Sequence, residues 1–285
     1  MQTIAMQLED LPSLSEVVKS HGLGANKKLG QHFLLDMNLT DKIARLAEPL
    51  AGHSVAEIGP GPGGLTRALL MRGVEKLTAI EMDDRFIPAL AQIGDLSSGR
   101  LEIAQGDALK FDIAANLPAP RKIVANLPYN VGTKMLINWV SASPLFWTQM
   151  VLMFQLEVAQ RVVASPGEPH FGRLAVLCQS VAHCRLAFEV PARAFTPPPK
   201  VDSAVIVLEP LDAPFEDLKI LGRVTQAAFG QRRKMLRRSL RSLAEQSGLV
   251  LEDWLGTCEI DPKARPETLP VTAFQALAKG LKETL

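Results

Sequence analysis

Apolar residues along this chain follow two regimes. Between Val55 and Leu208 they recur as short runs, each cut off by glycine, proline, asparagine or an acid. The runs at Val55–Ile58, Leu77–Ile80, Leu101–Ala104, Lys122–Ala125, Trp147–Phe154, Cys184–Val190 and Ala204–Leu208 predict buried strands. Helical periodicity fills the gaps at 133–140, 157–164 and 172–180. Upstream, Ser13-Leu-Ser-Glu16 is a capping box that opens a short helix, stopped near Gly22 and Gly24. An amphipathic helix follows from Asn38 to Leu50. After Glu209-Pro210 the strand signals cease, and helices are expected at about 215–229, 233–245, 251–256 and 271–282. Strands alternating with helices imply an α/β domain with an open parallel sheet over residues 1–210. The late pair of strands would add an antiparallel edge. A smaller, all-helical domain is expected over 211–285.

The ends of the strands carry the chemistry. The first runs into Glu57-Ile-Gly59-Pro-Gly61-Pro-Gly63-Gly64, formally a G-x-G-x-x-G dinucleotide fingerprint. Pro60 and Pro62 lack N–H groups, so two donors of a pyrophosphate cradle are missing. The turn suits close approach of a ligand that is not a diphosphate, and Glu57 could meet an ammonium there. The second strand ends in Glu81, able to accept both hydroxyls of an adenosine ribose. Asp83 or Asp84 could instead cap the following helix. The third ends in Asp107, a candidate acceptor for an adenine amine or else an Asx-turn residue. In an open parallel sheet, ligands bind beyond these carboxyl ends. Three acid- or glycine-tipped strands side by side imply a nucleoside cofactor.

The fourth strand ends in Asn126-Leu127-Pro128-Tyr129. Asn126 offers a side-chain carbonyl, and Pro128 breaks the strand and frees the Leu127 carbonyl. Two acceptors can bind both N–H groups of an amino group, while Tyr129 stacks on its ring. The competing reading is an ordinary strand-ending turn. Phe195, in the loop Phe195-Thr-Pro-Pro-Pro-Lys-Val-Asp202, is either the second wall of a base-stacking slot or a core plug. The segment from Lys27 to Asp36 is either a ligand-touching lid or a loop docking Phe33 and Leu34 into the core; the docking loop is preferred. Gln231–Arg241 carries six basic residues and no acid: Arg232, Arg233, Lys234, Arg237, Arg238 and Arg241. With no local counter-charge, a phosphate-backbone contact is favoured over a solvated helix face.

Bulk numbers narrow the class. At 285 residues and 47% hydrophobic content there is enough core for a large plus a small domain. The net charge of +1 gives no global field, so any basic surface is local. Cys178, Cys184 and Cys258 form no C-x-x-C pair and read as reduced thiols in a cytosolic protein without a zinc site. Neither a signal peptide nor a membrane-length apolar run is expected, and no metal is called for. No long apolar stripe asks for a partner, so a cytoplasmic monomer is expected.

With these residues laid out, the chain resembles the ribosomal-RNA adenine N6,N6-dimethyltransferases, the KsgA family. The similarity runs from about Lys27 to about Leu269. It rests on Gln31-His-Phe-Leu34, Glu57-Ile-Gly-Pro-Gly61, Glu81, Gly106-Asp107, Asn126-Leu-Pro-Tyr129, Ala194-Phe-Thr-Pro-Pro-Pro-Lys-Val-Asp-Ser203 and Phe229-Gly-Gln-Arg-Arg-Lys234. The Phe195–Ser203 stretch with Gln-Arg-Arg-Lys is specific to this family; the glycine turn and acidic tips are shared by many methyltransferases. The resemblance implies a Rossmann-like class I S-adenosylmethionine-dependent methyltransferase domain and a helical RNA-binding domain. It implies that His32, Leu34, Gly59, Glu81, Asp107 and Asn126 contact the cofactor. Asn126, Leu127, Pro128 and Tyr129 would hold the target adenine, with Phe195 opposite. The substrate implied is small-subunit (16S) rRNA, dimethylated on two adjacent adenosines, in a partly assembled subunit. Two departures stand out: position 32 is more often Asn in the family, and Leu156 stands where Lys is frequent, so no contact is carried over there. The same chemistry on large-subunit rRNA or DNA adenine is an alternative, as is a non-catalytic ribosome-assembly factor. Pro60, Pro62 and Asn126 argue against a nicotinamide-dependent reductase.

Overall fold

The computed structural model describes Leu8 and residues 10–25, 31–231 and 233–283. The chain clusters into two compact units. The first takes the described residues up to Met135 together with Phe146–Ala159 and Leu186–Glu209. The second takes Leu136–Leu145, Gln160–Arg185 and the described residues from Pro210 onward. The division is therefore not one cut of the chain. Two helical stretches upstream of 210 group with the C-terminal helices.

The strands are β1 (Phe33–Leu34), β2 (Ser54–Ile58), β3 (Lys76–Glu81), β4 (Leu101–Gln105), β5 (Arg121–Asn126), β6 (Gln149–Gln155), β7 (Ala182–Val190), β8 (Phe195–Thr196) and β9 (Ser203–Pro210). Seven of them form one sheet in the order β4-β3-β2-β5-β6-β9-β7. Strands β2 to β6 pair in parallel, and β9 runs antiparallel to β6. Every residue of β2 is buried, as expected for a strand covered on both faces. The register aligns the strand tips: Ile58 faces both Ile80 and Ala125, Glu81 faces Gln105, and Asn126 faces Met153. The sheet order changes direction at β2, between β3 and β5, which is where a doubly wound sheet opens a crevice.

Strands β1 and β8 form a separate antiparallel ribbon, with Phe33 opposite Thr196 and Leu34 opposite Phe195. Phe33, Leu34 and Phe195 all enter the core beside Phe86, Leu90, Ile93 and Val205. The preference for a core-docking loop at Phe33 and Leu34 thus holds for their side chains. The residues before them, 26–30, lie outside the described ones.

The glycine turn after β2 is fixed by close packing. Gly63 sits at φ +87°, where L-residues are strained. A Cβ there would collide with Ile93 Cδ1 and lie 3.4 Å from Leu90 Cδ2. Gly63→Ala is expected to cost about 2–4 kcal/mol, combining left-handed strain with overpacking. Gly94→Ala, on the helix Ile87–Leu96 with nothing within 4 Å of its Cβ, is the control. It should be neutral or stabilise by up to about 1 kcal/mol. Urea midpoints of the two variants check the pair; equal midpoints would refute the packing argument.

In the second unit the helix Leu218–Gly230 packs on Val271–Lys282 through Phe229 and Phe274, stacked at 5.4 Å. Trp254 Nε1 donates to the Leu277 carbonyl at 3.2 Å. The expected helix over 233–245 is corrected: residues 233–235 are non-helical, and two short helices follow, Leu236–Ser239 and Arg241–Gln246. The N–H groups of Leu236 and Arg237 donate instead to the carbonyls of Ala264 and Pro262, at 2.9 and 3.0 Å. Those tertiary bonds fix the entry to the short helix.

Candidate active site

The glycine turn spends its donors internally. Gly59 N donates to Ile80 O at 2.9 Å, Gly63 N to Pro60 O at 3.0 Å, and Gly61 N to Glu81 Oε2 at 3.0 Å. Pro60 and Pro62 have none to offer. The N–H groups of Gly59, Gly61 and Gly63 are therefore not available to a pyrophosphate. Glu81 also accepts from Asp83 N through Oε1, at 2.8 Å. Burial pushes its carboxyl pKa up, against the pull of these backbone bonds. Glu57 is 1% exposed, and Thr66 donates to its Oε2 at 2.7 Å. Its Oε1 is buried without a partner. Burial, aided by the nearby Glu81 charge, raises the Glu57 pKa to about 8.

Around β3 the polar side chains sort themselves by partner. Arg85 grips Asp83 with Nε at 2.8 Å and Nη2 at 2.5 Å, and Gln31 donates to the same carboxylate at 3.0 Å. The Arg85 bonds draw the Asp83 pKa down to about 2. Asp83 also accepts from Arg85 N, which makes it the cap of the 3-10 turn Asp84–Phe86. The capping reading thus applies to Asp83. Asp107 accepts from Leu109 N at 2.9 Å through Oδ1, an Asx-type bond that commits one oxygen and leaves Oδ2 for other use.

At the tip of β5, Asn126 Nδ2 donates to the His32 carbonyl at 3.2 Å. One of the two N–H groups of the amide is thereby engaged, and its oxygen remains to accept. Val131 and Gly132 direct their N–H groups to the Pro128 carbonyl, at 3.2 and 2.9 Å, passing over that of Leu127. Tyr129 stacks against His32 with centroids 5.5 Å apart and 29° between planes. Its hydroxyl lies 2.6 Å from Ser203 Oγ. The His32 ring reaches the Pro197 carbonyl at 2.8 Å through Nδ1. A carbonyl only accepts, so Nδ1 carries the proton.

Many of these groups line one cleft. Its wall runs from Glu57, Gly59, Glu81 and Asp107 to Asn126 and Tyr129. Among the described residues lining it, apolar side chains are the majority, the carboxylates are Glu57, Glu81 and Asp107, and no lysine or arginine appears. Such a wall fits a ligand rich in donors, with ammonium, hydroxyl or amino groups, and disfavours a phosphate.

Residues 22–281 match the family model of ribosomal RNA adenine dimethylase. The chain belongs to the ribosomal RNA adenine dimethylase family. It is 53% identical over 279 residues to a ribosomal RNA small subunit methyltransferase A of Maricaulis maris (strain MCS10), covering 96% of both chains. It is 54% identical over 277 residues to the protein of that description from Sinorhizobium medicae (strain WSM419), covering 96% of this chain and 99% of the relative. A crystal structure of a dimethyladenosine transferase from Plasmodium falciparum superposes with a TM-score of 0.76 at 25% identity, over 89% of this chain and 98% of that one. The structure of the 23S rRNA methyltransferase ErmE, at 24% identity, gives 0.66 over 88% and 99%, and speaks to the fold alone. The architecture is the Rossmann-like class I methyltransferase fold with a helical C-terminal part, as the family resemblance implied.

Within this dimethylase, the cleft gathers most residues singled out in the sequence. His32, Leu34, Gly59, Glu81, Asp107, Asn126, Leu127, Pro128 and Tyr129 all line it. Phe195 does not. It is 2% exposed and packs in the core, so the core-plug alternative describes it and the second-wall expectation is corrected. An apolar ring flanked by Leu34 gains more from burial than from lining a wet cleft. Arg233, Lys234, Arg237, Arg238 and Arg241 are exposed on the second unit, and Arg232 lies outside the described residues. Two features of the site were missed. Met82, 53% exposed on the cleft wall, is an apolar side chain held in the open. Its place directly after the acid tip of β3 was the available signal. The Tyr129–Ser203 bond had none, because it joins a turn residue to a strand distant in sequence.

Proposed function

We propose that this protein transfers methyl groups from S-adenosylmethionine to adenine N6, twice, on two adjacent adenosines near the 3′ end of small-subunit (16S) rRNA. The observation that carries the reading is the single cleft that joins acidic strand tips to the Asn126–Tyr129 turn. The bound cofactor supplies a methyl carbon activated by a sulfonium. Its groups fit the donor-seeking wall: Glu81 for the ribose hydroxyls, Asp107 for the adenine amine, and the orphaned Glu57 Oε1 for the ammonium, with His32, Leu34, Gly59 and Asn126 completing the contacts.

Asn126 Oδ1 and the Leu127 carbonyl accept from the target amino group. Two acceptors localise the nitrogen lone pair, which is otherwise delocalised into the ring, and aim it. Tyr129 compensates the stacking a flipped base gives up. The neutral amine is the nucleophile, so no strong base is needed, and the proton leaves to water. The exposed basic residues Arg233, Lys234, Arg237, Arg238 and Arg241 are assigned to the RNA backbone. The relatives described as ribosomal RNA small subunit methyltransferase A support the small-subunit substrate. We place the reaction in the cytoplasm, on a partly assembled subunit, by a monomer.

The test is transfer of labelled methyl from S-adenosylmethionine to small-subunit particles from unmethylated cells, beside naked rRNA, large subunits and DNA. Dimethyladenosine, identified by mass and confined to small subunits, is the expected result. Label in large-subunit RNA or DNA overturns the substrate. No label on any substrate, with cofactor bound, overturns catalysis in favour of an assembly factor.

A further inference from the structure

Ser203 opens β9 and is fully buried, in register with Gln155 at the end of β6. The backbone just before it is clamped twice. The Asp202 carbonyl accepts from Leu156 N at 2.9 Å, and its carboxylate accepts from Ala192 N at 2.8 Å. The Ser203 hydroxyl therefore stands on a rigid strand end, and it meets the Tyr129 hydroxyl at 2.6 Å. Tyr129 follows Pro128 in a turn outside regular structure, yet its ring is fixed at two places. His32 lies against one face, and Ser203 holds the far end of the phenol. A ring pinned this way keeps one orientation toward the cleft that it lines.

We propose that Ser203 is a positioning residue for the methyl transfer: by holding the Tyr129 hydroxyl it sets the plane against which the target adenine lies. The proposal rests on the base-holding role of Tyr129 put forward above. It accounts for a buried serine at a strand end aimed at the one aromatic ring of the Asn126–Tyr129 turn. Without it, a half-buried phenol would lose its partner and the ring its tilt. Burial already raises the Tyr129 pKa, and the Ser203 bond opposes that rise, as a hydroxyl held away from water requires.

The chain contains a single tyrosine, which makes the test specific. In protein labelled with 13C-tyrosine, the one ζ-carbon resonance reports this hydroxyl. Ser203→Ala is expected to move that resonance and lower kcat about tenfold, with cofactor Kd unchanged. Tyr129→Phe removes the same bond from the other side. Introduced into Tyr129→Phe, Ser203→Ala should cost nothing further, because both act through one contact. An unmoved resonance, or an equal loss of kcat in both backgrounds, overturns the proposal alone. Full activity in Tyr129→Ala overturns the base-holding reading and this proposal with it.

Discussion

Asn126→Ala is expected to lower single-turnover methyl transfer by roughly two to three orders of magnitude, with cofactor Kd changed less than tenfold. The size follows from where the side chain is anchored. Its Nδ2 donates to the His32 carbonyl, which sets which way the amide faces and so aims its oxygen. A fixed acceptor helps only as the amine begins to rehybridise, so its loss falls on kcat rather than on ground-state binding. Asn126→Asp sharpens the point. It keeps an acceptor but sets a carboxylate oxygen against the His32 carbonyl, which has no proton to give. That variant should also be slow, and should loosen the segment around His32. Single-turnover rates and cofactor titrations on the three proteins make the comparison. A wild-type rate for Asn126→Ala would remove the amine-holding slot.

What the sequence made legible and what it hid divide along a physical line. The tips of β2 to β5 were readable because each is local: a run of apolar residues, then an acid, a glycine turn or Asn-Leu-Pro-Tyr. Register then set Ile58 beside Ile80 and Ala125, which brings those tips to one edge. The β1–β8 ribbon was hidden because two-residue strands have no periodicity. Phe33–Leu34 is a strand only because Phe195–Thr196 lies opposite it. The same pairing decides Phe195, whose residue type suited both a stacking wall and a core plug. The helical pattern after Pro210 likewise suggested a continuous helix from Arg233. The carbonyls of Pro262 and Ala264, far along the chain, interrupt it by claiming the amides of Arg237 and Leu236. Local chemistry was written in the sequence, while side-chain direction was set by strands that meet only in the fold.

Glu57→Gln is expected to move stability and cofactor binding in opposite directions, each with a definite pH dependence. The Glu57 pKa lies near 8 in the fold against 4.5 for the free side chain, chiefly through burial. Between those values the folded state holds a proton that the unfolded state has lost. Wild-type stability should therefore fall as pH rises through that window, by up to ~1.4 kcal/mol per pH unit, and level off above it. Glutamine carries no such penalty, so near pH 7.5 the variant should be more stable by at most about 4 kcal/mol. Its advantage should vanish well below pH 4.5, where both states of the wild type are protonated. Binding inverts the sign. An ammonium beside the orphaned Oε1 favours the carboxylate, so cofactor entry below pH 8 must expel the proton. Wild-type affinity should then climb with pH, by at most about tenfold per unit, and flatten above that pKa. The variant should bind at least about tenfold more weakly, without that slope. Urea melts at several pH values give the first half. Isothermal titration in buffers of different ionisation enthalpy gives the second, by counting protons released. Equal release from wild type and variant would assign the proton to another acid, with Glu81 the nearest candidate because its pKa is also raised by burial. A buried, half-partnered carboxylate thus destabilises the free fold, and the incoming cation offsets that cost, which ties the stability of this domain to occupancy of its cleft.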